Sequence, residues 1–360
     1  MNHFAPHLQQ SDIVNPFPGL TRLEATLGHP ITTRIGSNES MAIAGHPLEQ
    51  GLAELAALAR YYPDPYAYAL RERAAALCHV TPQEVLFDAG ADSLLHLFLR
   101  LRCQAGDTVI TTAGTYPTFK YFAQGLGLNL IEIPYHEEGT SVTHALDALA
   151  ESAHSHRAAL VYLANPDNPT GSYHPIAAIQ AFREALPAET FLLLDEAYID
   201  FCAEEHETGS LDHSARIRTL SKAYGLAGLR IGYAIAPTDI IAKADQIRIQ
   251  FALSSPAQRA AQLVFETPEL APRLIAQTIA LRTQLADALR AQGCDVLPSE
   301  TNFVTIRYAS AEQAAAVQRS LWSAQTAVHR PPHPAVQHLI RVTAHPDALS
   351  PTVIAALSPP

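Results

Sequence analysis

Lys222 stands within "IRTLSKAYGLAGLRIGY", directly after Ser221 and ahead of a turn broken by Gly225 and Gly228. A lysine that only solvates a surface needs no such neighbours, and a primary amine is a nucleophile toward carbonyl groups. Upstream, "FLLLDEAYID" ends an apolar run in Asp195, with Tyr198 just beyond it. A carboxylate at the carboxyl end of a strand is well placed to serve a cationic ring nitrogen. "LANPDNPTG" sets Asn168 in a turn bracketed by prolines, where a fixed backbone aims the side-chain amide into the same crevice. Singly, each has an ordinary explanation: helix cap, turn former, core tyrosine, solvated charge. Their order along one chain is what suggests a shared site.

The elements that must position these residues follow from periodicity. After a Pro- and Gly-punctuated start, "LEQGLAELAALARYY" and "YAYALRERAAALCHV" carry Leu and Ala at helical spacing. Short runs rich in β-formers then alternate with helix-length segments. The runs are "DTVITT", "LNLIEIPY", "AALVYLANP", "TFLLLDEAY" and "LRIGYAIA"; the segments include "THALDALAESAH" and "PIAAIQAFREAL". This rhythm predicts an α/β fold, a mostly parallel sheet covered by helices. From Ser255 the pattern becomes a long helical stretch through Arg290, then "CDVLPSETNFVTIRY", a helix near 311–323 and a strand-like "HLIRVTA". The expected division is an N-terminal segment 1–44 joining the small domain, a large domain 45–254 and a small α+β C-terminal domain 255–360, with a cleft between the two domains.

Composition narrows the classes. A chain of 360 residues, 48% hydrophobic and 16% charged, is long enough to bury a sizeable core. A formal net charge of −11 repels nucleic acid and anionic membranes while leaving room for a local pocket that binds a small anion. Cys78, Cys103, Cys202 and Cys294 lie far apart, as expected of core thiols in a reducing compartment. The N-terminus lacks a basic-then-apolar signal pattern, and runs such as "FLLL" are too short to span a bilayer. The expected location is cytoplasmic.

"NPDNPTG", "DEAYIDF" and "TLSKAYGLAGLR", in that order, resemble fold-type-I pyridoxal-phosphate (PLP) enzymes, and most of all the histidinol-phosphate aminotransferase branch of the class II aminotransferases. The likeness runs from "IGSNES" to Arg341. It implies an aspartate-aminotransferase-like fold and pyridoxal 5'-phosphate as cofactor. Lys222 would then be the amine that bonds to the cofactor aldehyde and moves a proton at the substrate α-carbon. Ser221 and Arg230 would anchor the cofactor phosphate, together with Gly90, Ala91 and Asp92 at the start of the helix in "DAGADSLLHLFLR". Tyr116 would stack on the pyridine ring, Asp195 would keep its nitrogen protonated, and Tyr198 and Asn168 would address its ring oxygen. Tyr62 would reach the cofactor phosphate of a neighbouring subunit, which implies a homodimer. Arg341 would grip the substrate carboxylate, with Asn302 near the active-site floor.

The likeness frays on the substrate side. The N-terminal substrate loop reads "SNESMAIAGHP", the C-terminal pair expected at a distal phosphate is replaced by "AVHRPPHP" with Arg330 displaced and His329 intruding, and "TAH" follows Arg341. His29 and Arg34 also resemble features of PLP oxidases and hydroxylases acting on free amino acids such as arginine, although this chain has Thr219 where some of those enzymes carry an acid. The leading expectation is an aminotransferase for an amino acid or amino-alcohol phosphate, with His29 and Arg330 as further substrate-side candidates. The oxidase is the alternative. A PLP-binding protein without catalysis conflicts with the presence of Lys222, and a metal hydrolase built on "HRPPHP" lacks ligand spacing on one face.

Overall fold

The computed structural model describes residues 4–9, 13–17, 19–41, 45–202 and 209–358. Residues 1–3, 10–12, 18 and 42–44 of the expected N-terminal segment, and 359–360 of the expected C-terminal domain, lie outside the described residues.

The main sheet has seven strands, in the spatial order Val85–Asp88, Gly232–Ile235, Ser214–Thr219, Phe191–Asp195, Leu160–Ala164, Thr108–Thr112 and Asn129–Ile133. Gly232–Ile235 runs antiparallel to both neighbours, and the remaining pairings are parallel. Leu160–Ala164 and Phe191–Asp195 are buried at every position, which is why they read as unbroken apolar runs rather than alternating ones. The expected mostly parallel, helix-covered sheet is therefore present.

Ser214–Thr219 is a strand that apolar periodicity does not reveal, because Arg216 and Arg218 interrupt it. Both arginines are buried and converge on Glu196: Arg216 donates from Nε and Nη2 to Oε1 at 3.0 and 2.8 Å, and Arg218 donates from Nε to Oε2 at 2.9 Å. Such charges can enter an interior only when paired and hydrogen-bonded.

A second, antiparallel sheet of three strands, Asp295–Val296, Phe303–Arg307 and Leu339–Thr343, packs with the helices Ala311–Ser323 and Pro351–Leu357 around its own apolar cluster. The N-terminal segment joins it, since Thr33–Arg34 pairs in parallel with Thr326–Ala327 and Ile35 is buried in the same cluster. The helix Ser255–Phe265, expected with the C-terminal unit, instead buries Ala257, Ala261 and Val264 beside Phe87 and Tyr233 of the main sheet. The two cores meet along the helix Leu270–Ala291. Leu270 and Leu274 belong to the main-sheet cluster, whereas Leu285 and Leu289 belong to the second. The change in sequence rhythm at Ser255 thus precedes the change in core. Cys78 and Cys294 are buried and Cys103 and Cys202 half-buried, all as free thiols. Among the described residues, no helix is long and apolar enough to cross a membrane.

Candidate active site

Parallel strands carry their functional side chains at their carboxyl ends, and here five strands of the main sheet do so toward one place. Phe191–Asp195 ends in Asp195, Ser214–Thr219 leads into Ser221 and Lys222, and Leu160–Ala164 leads into Asn168. Thr108–Thr112 leads to Tyr116, and Val85–Asp88, set apart from these four by the antiparallel strand Gly232–Ile235, leads to the helix Ala91–Arg102. They border a cavity of about 320 Å³ lined by Asp92, Tyr116, Asn168, Asp195, Tyr198, Ser221, Lys222, Arg230 and Arg341, among others.

Lys222 donates from Nζ to the Asn38 carbonyl at 3.0 Å. Burial, reinforced by the positive charges of Arg341 and Arg230, lowers its pKa to about 8. This amine is therefore neutral at pH 7 far more often than an ordinary lysine, while still mostly protonated. Asp195 lies on the cavity floor, where Oδ2 accepts from the Tyr162 hydroxyl at 2.8 Å and Oδ1 from the Ala197 amide at 3.0 Å. Burial outweighs these donors and raises its pKa to about 6. A carboxylate left so costly to charge is completed by a cation facing it. Burial likewise raises the Tyr198 phenol above its ordinary value, against the opposing effects of Arg341 and the hydrogen bond from Asn38 Nδ2 to its oxygen at 2.9 Å.

At the other end, Gly90 (φ 87°) precedes the helix Ala91–Arg102, whose first turn has no side-chain cap. Arg230 reaches across this turn. The positive φ calls for glycine, and a Cβ at position 90 would stand 2.8 Å from the Arg230 Nη2 and displace the guanidinium. Arg230 also meets Ser221 Oγ at 3.5 Å and Asp92 Oδ2 at 3.3 Å, and Asp92 accepts from Tyr116 at 2.8 Å. Free backbone N–H groups, a hydroxyl and a guanidinium around one hollow form an anion cradle.

Arg341 donates to Asn168 Oδ1 and the Gly36 carbonyl, both at 2.6 Å, while its buried Nε has no partner. The two bonds hold the side chain in place and leave further N–H groups of the guanidinium for an anion. Asn302 does not line the cavity; its Nδ2 donates to the Asn38 carbonyl at 3.1 Å and so supports the segment that holds Lys222. Asn38 itself, buried in the left-handed region (φ 53°), links Lys222, Tyr198, Asn302 and Thr343. Its importance was invisible in "IGSNES", because its contacts lie far along the chain.

Besides Asn302, three candidates are not brought into this cavity. The His29 ring meets the Pro30 carbonyl at 3.1 Å at the surface. Arg330 turns away to Gln318 Oε1 at 3.2 Å and the Gln337 carbonyl at 3.4 Å, and His329 faces the cavity in its place. The reason is strand alternation: His329 bridges Arg341 across an antiparallel pair, so the two share a face and Arg330 takes the opposite one. Tyr62 is 84% exposed and packs, tilted, against Phe251 with ring centroids 4.9 Å apart. Two lining residues had no usable sequence signal. Phe17 is isolated among prolines, yet its ring lies 6.1 Å from Tyr116 and 5.9 Å from His329. Glu39 faces the cavity while paired with Arg34 at 2.8 Å.

An amine of lowered pKa, a buried carboxylate, an anion cradle and a buried arginine with unbonded N–H groups thus border one cavity. The chain belongs to the family of class I and II aminotransferases, which matches residues 42–357. It is 33% identical to a histidinol-phosphate aminotransferase of Anaeromyxobacter sp. (strain Fw109-5) over 83% of each chain. It is also 33% identical to an aromatic amino acid aminotransferase of Nocardia farcinica over 77% of this chain and 78% of the relative. Its structure superposes, with a TM-score of 0.91 over 99% of both chains and 32% identity, on the histidinol-phosphate aminotransferase of Sinorhizobium meliloti crystallised with pyridoxal-5'-phosphate. The oxygen-using alternative is not favoured by these relatives.

Proposed function

We propose that this aminotransferase carries pyridoxal 5'-phosphate on Lys222 and transfers the amino group of an amino acid or amino-alcohol phosphate. The observation that carries the reading is the convergence on one cavity of Lys222, Asp195, the Ser221–Arg230–helix cradle and the unbonded N–H groups of Arg341. The cofactor would supply an electron sink for the bonds of the substrate α-carbon. Gly90, Ala91, Asp92, Ser221 and Arg230 would hold its phosphate, Asp195 its ring nitrogen, Tyr116 its ring face, and Asn168 and Tyr198 its ring oxygen.

In this arrangement Arg341 orients the substrate through its anionic group, and Asn168, tied to Arg341, couples that grip to the ring oxygen. Lys222, with its pKa lowered to about 8, is the base and then the acid at the α-carbon. Tyr198, kept protonated by burial, serves as a hydrogen-bond donor. We also propose a homodimer in the cytoplasm, with Tyr62 at the subunit interface. The large unit would run through 45–254 and extend into the helix Leu270–Ala291, with the rest of the C-terminal region and the N-terminal segment forming the small unit.

Borohydride reduction of the cofactor-loaded protein followed by peptide mapping tests the assignment, alongside 2-oxoglutarate-dependent turnover. Label on the peptide containing Lys222, with little oxygen uptake, is the expected result. Label on another lysine, or stoichiometric oxygen consumption, overturns it.

A further inference from the structure

Asn38 is buried and borders the cavity. Its side-chain Nδ2 donates to the Tyr198 hydroxyl oxygen at 2.9 Å. The other end of the amide is set by Thr343, whose hydroxyl oxygen accepts from the Asn38 backbone N–H at 3.0 Å and donates to Oδ1 at 3.3 Å. A hydroxyl has one proton, and giving it to Oδ1 leaves Nδ2 as the end that faces the phenol. The backbone is fixed as well: φ is 53°, and the Asn38 carbonyl accepts from Lys222 Nζ at 3.0 Å and Asn302 Nδ2 at 3.1 Å. Thr343 ends one strand of the three-stranded sheet and Asn302 precedes another, whereas Tyr198 and Lys222 follow strands of the main sheet. Asn38 thus stands between the two sheets, with contacts to both. The charged groups acting on the phenol are Arg341, Asp195 and Asp167, with Lys222 over its ring at 5.7 Å.

We infer that Asn38 is a positioning residue: by donating to the Tyr198 oxygen it leaves that hydroxyl's own proton for the cavity side, where it serves the ring oxygen of the cofactor. The inference rests on the aminotransferase reading. A phenol has a single proton, so a neighbour that accepted it would take it from the cavity, and a neighbour that donates leaves it there. Accepting a hydrogen bond also makes the phenol a stronger donor, in keeping with the downward pull of Asn38 on its pKa against burial. Asparagine suits the place because its short amide tolerates the left-handed backbone that presents the carbonyl to Lys222.

The pH at which the visible absorbance of pyridoxal-phosphate-loaded protein changes reads the proton shared by the ring oxygen and the Lys222 nitrogen. A hydrogen bond to the ring oxygen stabilises its anion and eases loss of that proton, so a weakened Tyr198 donor raises the midpoint. Asn38→Gly, which keeps the left-handed backbone, should raise it by about half a unit or more, and should leave it unmoved when Tyr198→Phe is already present. Thr343→Val, which frees the amide to turn, should raise it as well, whereas Thr343→Ser should retain the native value. In cofactor-free protein labelled at the tyrosine Cζ, the magnetic resonance signal identified by its loss in Tyr198→Phe should move in Asn38→Gly and Thr343→Val and stay in place in Thr343→Ser. An unmoved or lowered midpoint in Asn38→Gly, or the same rise in the Tyr198→Phe background, overturns the inference. A loaded protein with no visible band would instead sink the aminotransferase reading, and the Cζ signal would then decide the hydrogen bond.

Discussion

At Lys222 the decisive quantity is its proton. Only a neutral amine attacks a carbonyl, and burial with two nearby guanidinium groups lowers this amine from 10.5 to about 8. The rate at which cofactor-free protein captures pyridoxal phosphate should therefore rise with pH through about 8 and level off above it. A stopped-flow pH profile still rising steeply above pH 10 would show that the lysine is not depressed. Arg341→Leu should raise the inflection, because one like charge is removed, and lower kcat/KM for carboxylate donors by about a hundredfold or more through loss of a buried charge-assisted pair. Steady-state kinetics in which kcat/KM stays within threefold of wild type would remove Arg341 from substrate binding.

Two elements carry the site's rigidity, and each rests on one residue the helix or strand cannot do without. Gly90→Ala places a side chain on a backbone with φ of 87° and against Arg230 Nη2, so the anion cradle must open. Affinity for pyridoxal phosphate, measured by fluorescence titration, should fall at least tenfold although Ser221 and Arg230 are unchanged in identity; unchanged affinity would show that this turn does not hold the phosphate. The strand Ser214–Thr219, which delivers Ser221 and Lys222, depends on Glu196 to compensate Arg216 and Arg218. Burial works against the Glu196 charge, yet the two arginines hold its pKa below the ordinary 4.5. Glu196→Gln removes the carboxylate on which both buried arginines converge and should destabilise the fold by roughly 3–5 kcal/mol at neutral pH. Because the native carboxylate has the lower pKa, its contribution is complete above the ordinary value and is lost as pH falls through the native one. Denaturant melts of the two proteins should accordingly converge in acid and differ most at pH 7.

For the whole molecule, the exposed aromatic surface bears on assembly. Tyr61, Tyr62, Tyr66, Tyr68, Ile249 and Phe251 are all at least 45% exposed, and Tyr62 already packs against Phe251. Apolar surface of this kind marks an association face more often than a free one. Sedimentation velocity should give a dimer, and Tyr62→Ser together with Phe251→Ser should shift it toward monomer with parallel loss of cofactor affinity. A fully active monomer would rule out a shared site.

Much of this protein was legible in its sequence because its determinants are local. Strand-length apolar runs such as "FLLLD" announce burial on both faces, and Ser221, Lys222, Asn168 and Asp195 sit in contiguous motifs whose spacing survives without knowledge of the fold. What required tertiary structure depends on contacts between distant segments. Arg216 and Arg218 look like a solvated stretch until Glu196 is found beside them. Asn38 is one polar residue among several until its carbonyl meets Lys222. His329 rather than Arg330 faces the substrate space because pairing with Arg341 fixes the register, and a shift of one residue would have reversed the choice. The local chemistry of the cofactor side could be read along the chain, whereas the substrate side is assembled from Phe17, His329 and Arg341, whose proximity is set only by the packing of the N-terminal segment and the C-terminal sheet across the ends of the main strands.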